Sequence, residues 1–471
     1  MEQDYTKVEP QIEKEFQKIE SEIKDNKKDP DVELITRHIE LEEVYQAFEK
    51  IGAVSREVID IAMAIAYSSL KSDLADVPLW GVLVGPPSSM KTELVKALRG
   101  LSHIYYLDTL TSNPFSSGYV APKGRKSYDL LDELDNKCLV IRDMTTLFSL
   151  NEETVKKLLG ELVAIYDEEF AKFSPTRGLK SYKAKFSLLG CITPAALNKH
   201  RRYIDMIGAR FLFIRLPELT SERERKGFGI AWQSEKRKGL IKYAREIMYS
   251  YITQIDGKNP ILLPEDVNIQ EILNGLAVLV SRGRGTVLTK QQSFKDDEGK
   301  DRTYYEVEDV QVEEPWRALL QLRGLSRYLA IVRGKETVTT DEMKTLAEIG
   351  LSTMPVDRAE AVQQLFKQLN TRPSLTSKEL QALLPHRSHR TFQRLFKELE
   401  ALKMVDAYKE PDGPPNQPWH WFLREDIQNA LTKAYGIENM PQVEEEVKEL
   451  PPPNLFDATE TPNDRTVENT F

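Results

Sequence analysis

The sequence predicts an α/β protein with a parallel sheet, and three observations predict it. Short apolar runs at 79–84, 103–107, 138–141 and 186–192, and one beginning at Phe211, read as buried strands, with helical stretches lying between several of them. The first run enters a tight loop of Gly, Pro and Ser that opens directly into a helix-like run at 93–98. Beyond residue 221 the period is largely helical, and it closes in short helices followed by a pair of strands.

The tight loop is Gly85-Pro86-Pro87-Ser88-Ser89-Met90-Lys91-Thr92. Strand, loop, then a helix opening on Lys-Thr is the P-loop arrangement: backbone N–H groups wrap phosphates and the helix N-terminus adds partial positive charge. Lys91 is expected to reach the β and γ oxygens of ATP, and Thr92 to give its hydroxyl to Mg²⁺. Met90 stands where the motif has its second glycine. Its side chain must point away from the phosphates, and the backbone must do without a glycine's freedom at positive φ. The plain alternative is an ordinary strand-to-helix turn.

A chain of 471 residues, 40% of them apolar, has material for about three domains with real cores. The apolar runs are too short to cross a bilayer and the first residues lack an export-signal pattern, so the expectation is a soluble, cytoplasmic protein with no membrane partner. Cys138 and Cys191 both fall inside strand-like runs and read as small core residues rather than a disulfide or metal site. The net charge of −9 sits mostly at 437–471, which carry nine acidic residues against two basic. The remainder is near neutral, so local basic patches decide what it binds.

In chain order, residues 1–35 are a charged helix or a frayed tail, and 41–70 give two helices leading into the loop strand. The strand at 103–107 ends on Asp108, and the polar loop 111–118 can lie near the phosphates. The run 138–141 closes on Arg142-Asp143, the Walker B shape, in which a buried strand carries a carboxylate toward the Mg²⁺ hydration shell. Met144 follows it, where many such ATPases carry a glutamate that orients the attacking water. The catalytic base is then Asp143 itself, Asp108, or a group from a neighbouring subunit.

Residues 152–170 have helical period. After them, 171–185 hold Lys172, Arg177, Lys180, Lys183 and Lys185 with no acid, and read as a β-hairpin with a basic tip. Beside a nucleotide site such a hairpin can grip a phosphate backbone; otherwise it is a solvated surface hairpin. The run 186–192 ends in Thr193, and Ala209-Arg210-Phe211 sets an arginine ahead of the next strand.

Over about residues 40–350 this order resembles the AAA+ ATPases, and within them the minichromosome-maintenance (MCM)-like helicases and their relatives on phages and integrating elements. The resemblance implies that Thr193 stands at sensor 1, where the family has Asn, and that Arg210 is the finger entering the next subunit's site. Arginine suits that task because charge collects on the transferring phosphoryl oxygens and a guanidinium keeps its proton. It implies a ring, with six copies expected. By the same resemblance Arg317, near the start of a helix running to Val332, takes the role of sensor 2 in a helical lid. Lys91, Asp143, Thr193, Arg210 and Arg317 are then the catalytic set, with Thr92 and Asp143 at the metal.

At 359–422 a helix, two further short helices and a Pro/Gly-turned pair of strands make a winged-helix pattern. Its third helix has Phe392, Leu395, Phe396, Leu399 and Leu402 on one face, with Arg387, Arg390 and Arg394 on or near the other. That helix can meet duplex DNA, though winged helices also bind protein. The expected divisions are 1–35, a charged helix or tail; 36–220, an AAA+ core; 221–355, a helical lid with an insertion at 281–312; 356–436, a winged helix; and 437–471, an acidic disordered tail. The functional expectation is an ATP-driven helicase ring that moves basic hairpins along single-stranded DNA in its pore. The alternatives are an ATP-gated DNA-binding regulator that does not unwind, and a remodelling ATPase acting on protein.

Overall fold

The structure, a computed structural model, describes residues 33–437 apart from 53–54, 111–113, 117–128, 175–177, 200–209, 218–219, 222–223, 226, 229–231, 233, 259–261, 296–300, 412–413 and 415–416. The tails at 1–32 and 438–471, on which the N-terminal and acidic-tail expectations fall, lie outside the described residues, and so does Arg177.

Five strands form one parallel sheet: β1 (Trp80–Val84), β2 (Ile104–Leu107), β3 (Cys138–Ile141), β6 (Ser187–Ile192) and β7 (Phe211–Arg215). Their order is β2-β3-β6-β1-β7, so β6 stands between the loop strand and the acidic strand. Trp80 lies opposite Leu188 and Phe211, and Val84 opposite Ile192 and Arg215, which brings the C-terminal ends of β1 and β6 to one edge. β1, β3 and β6 are buried at every residue, the reason they read as unbroken apolar runs. Cys138 and Cys191 are free and buried in this sheet.

Each sheet face has its own core. On one, Leu83, Val140, Leu189 and Leu212 meet the helix Arg56–Ser68, which comes so close that a Cβ on Gly81 would lie 2.4 Å from Ile65 Cδ1. On the other, Trp80, Leu188 and Phe211 meet the helix Glu152–Tyr166. There Trp80 packs edge-on against Tyr166, stacks on Phe186 and donates its indole N–H to the Phe186 carbonyl at 3.0 Å. That helix stops at Tyr166, short of the expected 170, because Glu169 already belongs to β4 (Glu169–Ser174), which pairs with β5 (Gly178–Lys183). The expected hairpin is present, at the edge of the sheet opposite the loop.

The expected insertion at 281–312 is a long antiparallel ribbon, β8 (Thr286–Lys295) with β9 (Asp301–Gln311), whose lower part rests on the helix His389–Ala401. The helices Ser234–Gly257, Val267–Arg284, Trp316–Val332 and Thr340–Thr353 surround the first core. A capping box, Thr339 with Glu342, starts the last of them. Next come helices Val356–Gln368, Ser377–Leu383 and His389–Ala401, the last capped by Ser388, and an antiparallel pair, β10 (Val405–Tyr408) with β11 (His420–Leu423). A further helix, Glu425–Tyr435, packs on Val267–Arg284 and Thr340–Thr353, with Ala430 set against Gly275. One apolar core cluster of the described residues runs from Ile39 to Ala434. No helix of the described residues is long and apolar enough to cross a membrane.

Candidate nucleotide-binding site

The loop after β1 is built on two non-glycine residues in the left-handed region, Ser88 at φ 62° and Met90 at φ 68°. Met90 thus takes the backbone shape of the glycine it replaces, at a cost of about 1–2 kcal/mol. Its side chain packs half-buried against the first core beside Gly52. The helix Lys91–Lys96 starts directly after it.

Lys91 folds back into the loop and donates to the carbonyls of Gly85 at 2.6 Å and Pro86 at 2.7 Å, and to Ser89 Oγ at 3.0 Å. Burial pushes its ammonium pKa down, while the nearby charge of Asp143 acts the other way. Burial also pushes the Cys191 thiol up to about 12, so it stays protonated and is no nucleophile.

Two backbone bonds tie the strand ends together. Gly85 N–H donates to the Ile192 carbonyl at 3.2 Å, and Met144 N–H to the Cys191 carbonyl at 2.8 Å. Asp143 and Thr193, next along each strand's continuation, are therefore brought to the edge where the loop after β1 lies. Asp143 Oδ1 accepts from Thr145 N–H at 2.9 Å, and Thr193 Oγ1 accepts weakly from Ala196 N–H at 3.4 Å. Asp108, the other carboxylate at this edge, is paired with Arg142 at 3.1 Å. Met144 turns into the second core, where its sulfur sits over Gly190; a Cβ on that glycine would be 2.2 Å from Sδ.

Among the described residues no group of three or more His, Cys, Asp or Glu side chains can hold a metal ion. Thr92 and Asp143 are one hydroxyl and one carboxylate, which suits Mg²⁺ arriving with its own phosphate ligands and waters.

Arg210 and Arg317 lie elsewhere. Arg210 immediately precedes β7, at the N-terminal edge of the sheet, about 16 Å of strand from the loop edge. It is buried over the Tyr166 ring and pairs with Asp167 at 3.2 Å. Arg317 shares its surroundings: its charge acts on Tyr166, on Arg284 and on Glu313, and the last of these also feels Arg210. Gln321, one turn beyond Arg317, donates its amide to the Arg210 carbonyl at 2.9 Å and to Tyr166 Oη at 3.0 Å. The two arginines thus form one cluster, away from this chain's own loop. Sequence reasoning missed Gln321, Glu313 and Arg284, since no local pattern brings them to residue 210. It also missed Arg245, which reaches from the helix Ser234–Gly257 to Glu93 at 3.2 Å.

The lysines expected to grip nucleic acid are mostly engaged within the chain. Lys172 donates to Glu161 at 2.8 Å and to the Ser116 carbonyl at 2.7 Å. Lys180 pairs with Asp129 at 3.0 Å and Asp132 at 2.6 Å. Both share the inner face of the hairpin with Phe170 and Tyr182, while Ala171, Phe173, Leu179, Ser181 and Lys183 are exposed on the outer face. Phe173 and Leu179, a cross-strand pair, are 70% and 71% exposed. Farther on, Arg387 pairs with Glu360 at 2.9 Å and Arg394 with Glu398 at 3.2 Å, whereas Arg390 is exposed with no ion pair among the described residues. No protein-family model matches the chain, and no curated protein matches it in sequence.

Proposed function

We propose that the chain is a Mg-ATP-hydrolysing P-loop ATPase of the AAA+ type, working as a ring of copies on DNA in the manner of an MCM-like helicase. The observation that carries this reading is the division of the site between two edges of one sheet. Lys91, Thr92, Asp143 and Thr193 collect at one edge, Arg210 and Arg317 at the other. Neither arginine can serve the loop of its own chain, so a finished site needs a neighbour.

Triphosphate entering the loop would draw Lys91 off the Gly85 and Pro86 carbonyls onto the β and γ oxygens. Thr92 and Asp143 would hold Mg²⁺, which neutralises charge building on those oxygens. Thr193 keeps its hydroxyl proton for the γ-phosphate or its water, because in its cap contact it only accepts. Arg210 would exchange its pairing with the half-exposed carboxylate of Asp167 for a neighbour's phosphate. The attacking water would be oriented by Asp143, by Asp108 once released from Arg142, or from across the contact.

Helices within 356–401 followed by β10 and β11 support the winged-helix reading of 356–436, with Arg390 and Gln393 free to meet a duplex. The test measures ATP turnover with and without single-stranded DNA, and unwinding of a forked duplex, with Lys91→Ala as the inactive control. We expect DNA-stimulated turnover and unwinding, and a fall of about 10³ in turnover for Arg210→Ala. The second reading, an ATP-gated DNA-binding regulator, is favoured by the internal pairing of Lys172 and Lys180 and by Met144. Duplex binding that depends on ATP, with no unwinding and no response to single strands, would select it.

A further inference from the structure

Glu93 is the first acid after the loop that leaves β1. It follows Thr92 directly, in the opening turn of the helix Lys91–Lys96, and side chains on a helix lean toward its N-terminus, here toward the loop. A carboxylate so placed repels a triphosphate drawn in by Lys91. It is answered from two sides, by Lys96 one turn on at 3.2 Å and by Arg245, 152 residues along the chain, also at 3.2 Å. The Glu93 side chain is 19% exposed and that of Arg245 25%, so solvent screens this pair less than an open surface pair.

Arg245 is presented by a helix fixed along its length. Ala244, Ile247 and Met248 of Ser234–Gly257 are buried in the first core. Beyond them Ser250 Oγ accepts from Ile35 N–H at 2.8 Å, and Tyr251 Oη donates to the Val332 carbonyl at 2.6 Å. The Gln254 amide accepts from Ile39 N–H at 2.9 Å and donates to the Ile39 carbonyl at 3.1 Å. A guanidinium held this way keeps its place whatever fills the loop, whereas Lys96 is a point charge on a flexible stem that can turn to water. We propose that Arg245 is a positioning residue for the nucleotide: by cancelling the charge of Glu93 it lets the turn after the loop accept phosphates. It acts through Glu93 and not on the nucleotide itself, so its effect falls on binding and not on the chemical step. The proposal rests on the ATPase reading and adds a residue that sets nucleotide affinity from outside the loop.

Binding of a non-hydrolysable ATP analogue with Mg²⁺ to the full chain, together with kcat and KM for turnover, tests it. Arg245→Ala should weaken binding and raise KM about tenfold, the loss expected from one uncancelled, partly shielded carboxylate beside the phosphates. Its kcat should stay within about twofold of wild type. Arg245→Lys should keep most of the affinity, since charge alone is asked of the residue. Removing the carboxylate as well, with Glu93→Gln added to Arg245→Ala, should bring binding back to the wild-type level. Should Arg245→Ala fail to fold, Arg245→Gln, which keeps a polar contact with Glu93 but no charge, gives the same comparison. A double variant as weak as Arg245→Ala would mean that the arginine meets the phosphates itself or only holds its helix, and would overturn the proposal. So would wild-type affinity in Arg245→Ala. Wild type that binds no analogue at all would instead remove the ATPase reading beneath it.

Discussion

Met144 follows Asp143 at the position where many P-loop ATPases place a glutamate, and its side chain fills the space over Gly190 in the second core. The position faces packing rather than the loop mouth. Met144→Glu should therefore leave ATP turnover no higher, and it should cost about 3 kcal/mol in denaturant unfolding, because a carboxylate enters an apolar slot without a partner. A rise in turnover would show that residue 144 does face the site. The positions of Asp143 and Thr193 were legible because parallel buried strands must end at a common edge and each lies just past such an end, and that of Lys91 because it opens the helix after the loop that leaves β1. The location of Arg317 was not legible. Nothing near it in sequence says which end of a sheet, completed a hundred residues earlier, its helix will approach.

The hairpin β4–β5 carries a similar lesson for an element. Counting lysines reads it as a phosphate-gripping or solvated ribbon, and counting by twos divides them between its faces: Lys172 and Lys180 have the parity of Phe170 and Tyr182, which face inward. Lys180 answers the buried carboxylate of Asp129 and the outer one of Asp132, so it holds the ribbon to the body. Lys180→Ala should destabilise the protein by about 2 kcal/mol while leaving the salt dependence of single-stranded DNA binding unchanged. Lys183→Ala should do the reverse, with stability unchanged and the salt slope smaller by about one. Titrations at several salt concentrations separate the two, and equal slopes for both variants would mean that neither lysine meets phosphate. The ribbon β8–β9 was read only as an insertion, since just one of its faces is half-buried and Thr289 shares that face with Val287, Val307 and Val310, so the inward-outward alternation that betrays a strand is weak in the sequence.

At the scale of the molecule one apolar core reaches from Ile39 to Ala434, with Glu425–Tyr435 burying its apolar face on the helices Val267–Arg284 and Thr340–Thr353. One polar joint ties distant parts of that body together. Glu265, its side chain 2% exposed, accepts from Arg323 at 3.3 Å and from Arg327, while Arg327 also donates to the Leu74 carbonyl at 3.0 Å ahead of β1. Burial alone would raise this carboxyl, but the hydrogen bonds from Arg327 and Arg323 prevail and hold it down to about 2, against an ordinary value of 4.5. The folded state thus binds the proton less readily than the unfolded chain. The joint contributes in full above pH 4.5, and its contribution is lost as the pH falls toward 2. Part of the shift is screened, because Arg323 is partly solvated, so the contribution should be ~2 kcal/mol. Denaturant unfolding of Glu265→Gln should show that deficit at pH 7 and a curve that converges on wild type as acid is added. Parallel curves, with the same deficit at pH 7 and pH 3, would mean that the carboxylate's charge plays no part in holding the joint.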